Sequence, residues 1–94
     1  MDKNYPSFKW DSNGISAFKK EFDTNNNFIG SYNQNSYVRF DSFGIYGIQD
    51  NLNFVPKTEQ NIYDNAKFGM TWNRFFMKNK SGNGSVEIST DEDF

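Results

Sequence analysis

The sequence predicts an all-β fold: successive β-hairpins in an elongated, shaft-like meander or a small sandwich, with at most one short helical turn near 58–66. Three observations point there. Ala and Leu, the strongest helix formers, total three residues (Ala17, Ala66 and Leu52), too few for a helical protein. Phe, Tyr, Ile, Val and Thr fall in short runs broken by Asn, Asp, Ser and Gly clusters, which is the chemistry of strands and turns. One segment also recurs: Trp10-Asp11-Ser12-Asn13-Gly14-Ile15-Ser16-Ala17-Phe18 aligns with Phe40-Asp41-Ser42-Phe43-Gly44-Ile45-Tyr46-Gly47-Ile48 at an offset of 30 residues.

Each element has a local reason. Phe8–Trp10 is the first strand; Asp11-Ser12-Asn13-Gly14 closes it, with Asp to bond the turn backbone and Gly to take a positive φ. Ile15–Phe22 returns, and Thr24–Asn27 makes the next polar turn. Tyr37–Phe40, Asp41-Ser42-Phe43-Gly44 and Ile45–Ile48 repeat the first hairpin. Asn53–Val55 reads as a short strand. Thr58–Ala66 is the helical segment, with Thr58 as its cap and Ile62 and Ala66 four apart on one face. Phe68–Trp72, Phe75–Lys78 and Val86–Ser89 complete the strands, the last two joined through Ser81-Gly82-Asn83-Gly84. The hairpin repeats lie near 8–22 and 37–48, with a looser third at 68–89 whose best match is Phe76–Ile88. Repeated hairpins of this kind make one β domain over residues 1–94.

The composition leaves that domain short of core. Leu, Ile, Val and Phe total 21 of 94 residues, Asn alone supplies 14, and mean hydropathy is -0.88. An aromatic fraction of 19% compensates, because each ring can bury roughly 150–250 Å². A chain so built is expected to be marginal alone or to gain core by oligomerising. Without Cys there is no disulfide, thiolate nucleophile or Cys-bound metal, and without His no imidazole catalysis or ligation. No cofactor is expected. The net charge of -2 and the scattered basic residues offer no track for nucleic acid. No apolar run approaches the ~20 residues of a membrane span, and no signal-peptide pattern opens the chain.

Several motifs read as turn or surface chemistry. Asp23-Thr24-Asn25-Asn26-Asn27 opens like a calcium loop, but Phe28 and Gln34 stand where such a loop needs Gly and Glu, so a polar hairpin turn is expected. Asp91-Glu92-Asp93 reads as a solvated acidic end, and the sequons at Asn79-Lys80-Ser81 and Asn83-Gly84-Ser85 as turns. Glu21, Glu59 and Glu87 supply carboxylates, yet so short a chain has little to wall a hydrolytic cleft. Flat rings can stack on sugars while Asn and Asp bond hydroxyls, which makes Trp10, Trp72, Tyr32, Tyr37 and Tyr46 the candidate glycan platforms.

The stretch Tyr37–Ile48, followed by Phe68-Gly69-Met70-Thr71-Trp72-Asn73 and Val86-Glu87-Ile88-Ser89-Thr90, resembles minor structural tail proteins of phages and prophages of low-GC Gram-positive bacteria. Segments of the form V-R-F-D-x-F/Y-G-I/L-Y-G recur in that family, and Trp10-Asp11-Ser12-Asn13-Gly14-Ile15 is similar to its W-D-x-N-G-I segment. The resemblance implies a β-rich piece of a tail tip, baseplate or tail fibre, homotrimeric in the full-length protein and in contact with other tail proteins. It implies a virion-tail location and a non-enzymatic role in connecting or presenting host-binding parts. A carbohydrate-binding module for host cell-wall polysaccharide is the alternative. The chain then reads as one domain of a longer protein. Phe43 occupies a turn tip where the first copy has Asn13, and a Phe there needs cover. Phe43, Tyr46, and Phe75 or Phe76 are therefore expected to contact another subunit or an adjoining domain.

Overall fold

A computed structural model describes residues 7–51, 53–79, 81 and 84–89. The strands are β1 (Phe8–Asp11), β2 (Gly14–Phe22), β3 (Phe28–Asp41), β4 (Gly44–Ile48), β5 (Phe68–Thr71), β6 (Arg74–Lys78) and β7 (Ser85–Ser89), and one helix, α1 (Glu59–Asn65), lies between β4 and β5. They form a single antiparallel sheet in strictly sequential order, β1-β2-β3-β4-β5-β6-β7. The fold is thus all-β and built of consecutive hairpins. Its second layer is α1 together with residues 49–51 and 53–58, laid over one face.

The overall dimensions of 47 × 32 × 18 Å follow from these parts. Seven strands at ~4.8 Å spacing span ~29 Å. β2 and β3 outrun the other strands, so residues 19–33 project as a two-stranded arm in which 21–30 are all exposed. Register shifts at Phe18/Lys19 and Lys20/Phe22 mark where the arm leaves the sheet.

The repeat is a real structural unit. In the first hairpin Asn13 N donates to Asp11 Oδ1 at 2.8 Å, and in the second Phe43 N donates to Asp41 Oδ1 at 2.8 Å. Each turn closes on a positive-φ glycine, Gly14 at 110° and Gly44 at 137°. Each glycine also lies under the carbonyl of the next strand: a Cβ would stand 2.4 Å from Phe40 O at Gly14 and 2.1 Å from Met70 O at Gly44. The offset of 30 residues is therefore a shift of two strands across the sheet.

The helix forms where its cap and spacing place it. Thr58 accepts from Asn61 N at 3.0 Å, Asn61 Oδ1 accepts in turn from Lys57 N at 3.2 Å, and Glu59 sits in the first turn where the dipole favours it. Ile62 and Ala66 face the sheet and are buried with Tyr37, Tyr46, Ile48, Phe54 and Phe76. Glu59 also fastens the β5–β6 turn, accepting from Thr71 Oγ1 at 3.0 Å and from Asn73 N at 3.3 Å.

Two expectations need correction. Asn53–Val55 is not a strand; it belongs to the covering segment, where Phe54 packs edge-on against Tyr46 and its carbonyl accepts from Arg39 Nη1 at 3.1 Å. Conversely, β3 begins at Phe28 rather than Tyr37. The polar run Ser31–Ser36 lacks alternation, yet its backbone pairs with β2 through cross-strand partners such as Tyr32 and Lys20.

Candidate functional site

The two faces of the sheet differ in chemistry. On the covered face one cross-strand row runs Lys9, Ser16, Arg39, Tyr46, Gly69, Phe76 and Glu87. Arg39 is buried here, with Nε donating to Ser16 Oγ at 3.1 Å and the guanidinium 4.7 Å from the Tyr37 ring. Tyr46 donates its hydroxyl to Asp41, and burial, reinforced by that carboxylate, pushes its pKa well above the ordinary range. This network ties β2, β3, β4 and the covering segment together.

The opposite face has no covering element among the described residues. One row there reads Trp10, Ile15, Phe40, Ile45, Met70, Phe75 and Ile88, each paired with the next across all seven strands. The next row reads Phe8, Ala17, Val38, Gly47, Phe68, Met77 and Val86. None of the fourteen is ionisable or polar. Ten of them are large apolar side chains left 41–81% exposed. Gly47 has room for no side chain, because the Phe68 ring lies over it, with Cε1 only 2.1 Å from where a Cβ would be. A shallow depression of about 440 Å³ opens around Gly47, between Ala17, Val38 and Phe68.

The candidate glycan platforms separate by burial. Trp10 and Trp72 are 81% and 78% exposed. Both stand at the end of the sheet that carries the β1–β2, β3–β4 and β5–β6 turns, and Trp72 Nε1 donates to Ser42 O at 2.8 Å. Tyr32 is half-buried on the arm, 5.3 Å from the Phe28 ring. Tyr37 and Tyr46 are core side chains at 4% and 0% exposure, so the expectation that they present rings to a sugar does not hold in this fold.

The candidate subunit contacts divide likewise. Phe75 lies on the open face. Tyr46 and Phe76 do not: both are enclosed by α1 and the covering segment, because their register places them on the other side of the sheet from Ile45 and Phe75. Phe43 folds its ring back against this same core, so part of the cover that a Phe at a turn tip needs comes from its own chain.

The remaining polar candidates are occupied structurally. Glu21 accepts from Ser31 Oγ at 2.9 Å and Glu87 pairs with Arg74 at 3.1 Å, while Glu59 holds the β5–β6 turn. Asp23 Oδ1 accepts from Asn25 N at 2.8 Å and Asn27 N at 3.0 Å, bonds that hold its carboxyl below the usual range and make the polar hairpin turn. Ser81 Oγ donates to Asn79 Oδ1 at 3.1 Å in the β6–β7 connection. Among the described residues no three metal-ligating side chains cluster, and no helix is long and apolar enough to cross a membrane. Asp91-Glu92-Asp93 lies outside the described residues.

The open face is the feature that the residue-by-residue reading missed. Its signal is large apolar or aromatic residues in both phases of one strand: Tyr37 beside Val38, Ile45 beside Tyr46, and Phe76 between Phe75 and Met77. A strand apolar in both phases wants cover on both faces. Comparison with family models, curated proteins and solved structures finds no match for this chain.

Proposed function

We propose that the chain is a non-enzymatic structural segment of a phage tail, baseplate or tail-fibre protein, associating with other subunits or tail proteins and connecting or presenting host-binding parts. The observation that carries this reading is the open apolar face. Isolated soluble domains rarely leave more than a few hundred Å² of contiguous apolar surface in water, and here ten large apolar side chains of two adjoining rows are left so. Much of that face comes from the segments that resemble tail proteins, namely Val38 to Gly47, Phe68 to Met70 and Val86 to Ile88. The test is location. Particles released on prophage induction of the encoding strain, labelled with antibody to this chain, should carry label at the tail; label confined to the cell debris would remove the reading.

Exposure of Trp10 and Trp72 at one end of the sheet supports a second reading, a module that binds host cell-wall polysaccharide. Purified host polysaccharide should then shift the tryptophan emission, and Trp10→Ala and Trp72→Ala, made singly, should each weaken the binding measured by calorimetry. Emission that polysaccharide leaves unchanged discards this alternative.

A further inference from the structure

We propose that the open face is covered by the same face of a second copy of this chain, the two sheets packing face to face about a twofold axis. This rests on the reading of that face as an assembly surface and names its occupant.

Area comes first. Taking ~200 Å² for each large side chain, the ten exposed residues present roughly 1,000 Å². A stable protein interface buries about 800 Å² on each partner, so this face alone suffices for one. It also exceeds the ~300–600 Å² of the largest patch on an ordinary monomer.

Charge selects the kind of partner. The two rows hold no ionisable side chain, while the chain as a whole carries -2. A charged partner would find only Lys19 and Lys67, which border the two rows at the depression around Gly47. A second copy brings an equally neutral surface, so the apposition buries no unpaired charge.

Shape selects the arrangement. The rows run across all seven strands, ~29 Å wide and two residues deep along the strands. A single peptide strand or helix lying along the strands, about 10 Å across, would cover a third of that width, and a helix laid across them needs about 20 residues to span it. Another sheet covers it all, since stacked sheets keep their strands within ~30° of one another at ~10 Å separation. Three such faces around a threefold axis would stand ~8 Å from it, beyond the ~5 Å half-spacing of packed sheets, and leave an axial void. With a twofold axis lying across the strands, each row meets the other row of its partner. Ile45 of each copy then lies over the partner's depression at Gly47.

The experiment is light scattering of the 94-residue chain across a dilution series, with two open-face variants. One carries Phe40→Thr and Met70→Thr, which keep strand-compatible residues; the other is Met77→Lys, at a side chain that a monomer leaves in water. Circular dichroism checks that each is folded. The expected result is a mass twice 11.0 kDa for the parent chain and a folded monomer for both variants. Their dissociation constants should rise by about a hundredfold or more, as for central contacts of an interface. A dimer that neither folded variant weakens overturns the pairing. A threefold mass lost in both variants overturns the pairing but leaves the assembly surface standing. A parent chain monomeric at every concentration overturns the pairing and leaves the tail reading to the labelling of the particles.

Discussion

The two faces of this sheet should respond oppositely to one and the same truncation, Ile to Ala. Ile62 is fully enclosed between α1 and the sheet and is the helix's buried residue. A seven-residue helix falls short of the ~12–15 residues needed for stability on its own, so α1 persists because Ile62, with Ala66 and the half-buried Tyr63, docks it. Ile62→Ala removes three carbons at ~0.8 kcal/mol each, and the enclosed cavity adds to that, giving about 3–4 kcal/mol. A chain of this length has a total stability of about 5–14 kcal/mol, so the loss is a large fraction of it. At ~4–8 °C per kcal/mol, the melting temperature should fall by roughly 15–25 °C. Ile45→Ala deletes the same atoms from a side chain 41% exposed on the open face. Less surface returns to water and no closed cavity forms, so about 1–1.5 kcal/mol is expected. Thermal melts by circular dichroism, run dilute enough to keep the chain monomeric, compare the two. Equal losses, or a cost below about 1 kcal/mol at Ile62, would refute the claim that one face is core and the other is not.

Other expectations follow from backbone and charge. Gly44 and Gly30 both have positive φ, but a Cβ meets Met70 O at 2.1 Å at Gly44 and nothing within 4 Å at Gly30. Gly30→Ala should cost about 1–2 kcal/mol of backbone strain, whereas Gly44→Ala should push β4 off β5 and abolish a cooperative melt; similar melts for the two would contradict the close approach. Asp23 has its pKa lowered by the Asn27 and Asn25 amides, so its contribution is present above the ordinary value of 3.8 and lost as pH falls through the folded value. In a pH titration by NMR, the Asn25 and Asn27 amide shifts should move with a midpoint below 3.8; a midpoint at or above it rejects the turn bonds. Tyr46 has its pKa raised, chiefly by burial, so its neutral form favours folding below the ordinary value of 10.0 and that contribution is lost as pH rises above it. Denaturant melts should show stability falling above pH 10, and Tyr46→Phe should remove part of that slope; an unchanged slope in the variant would mean that Tyr46 is not the group responsible.

Much of the fold is written locally. The two Asp-Ser-x-Gly turns and the Thr58 cap are short-range devices, each complete within about four residues, so a reader of the sequence can place them. What escapes is set by the partner strand. Asn33 and Tyr32 have no strand pattern of their own and are extended because β2 is there to pair with them. Asn53–Val55 has a strand-like composition yet forms no ladder, because burial of Phe54 and the Arg39 bond to its carbonyl hold it across the sheet instead. The same limit governs the site. An aromatic list cannot tell Trp10 from Tyr46, since which phase of a strand faces α1 depends on where the helix docks, and that is a tertiary fact.

The strictly sequential strand order also governs how the sheet is made. Each strand pairs only with its neighbours in the chain, and the longest connection, 49–67, carries its own helix. Few distant segments need to meet, so loop closure costs little entropy and contact order is low for an all-β chain. A hairpin closes in about 1–10 μs, while a ribosome adds ~5–20 residues per second. The sheet can therefore grow by one strand at a time as the chain emerges, β1 to β7, without waiting for its last residues. At every stage the newest strand is an unpaired edge, open to the next strand of its own chain or to a neighbouring nascent chain.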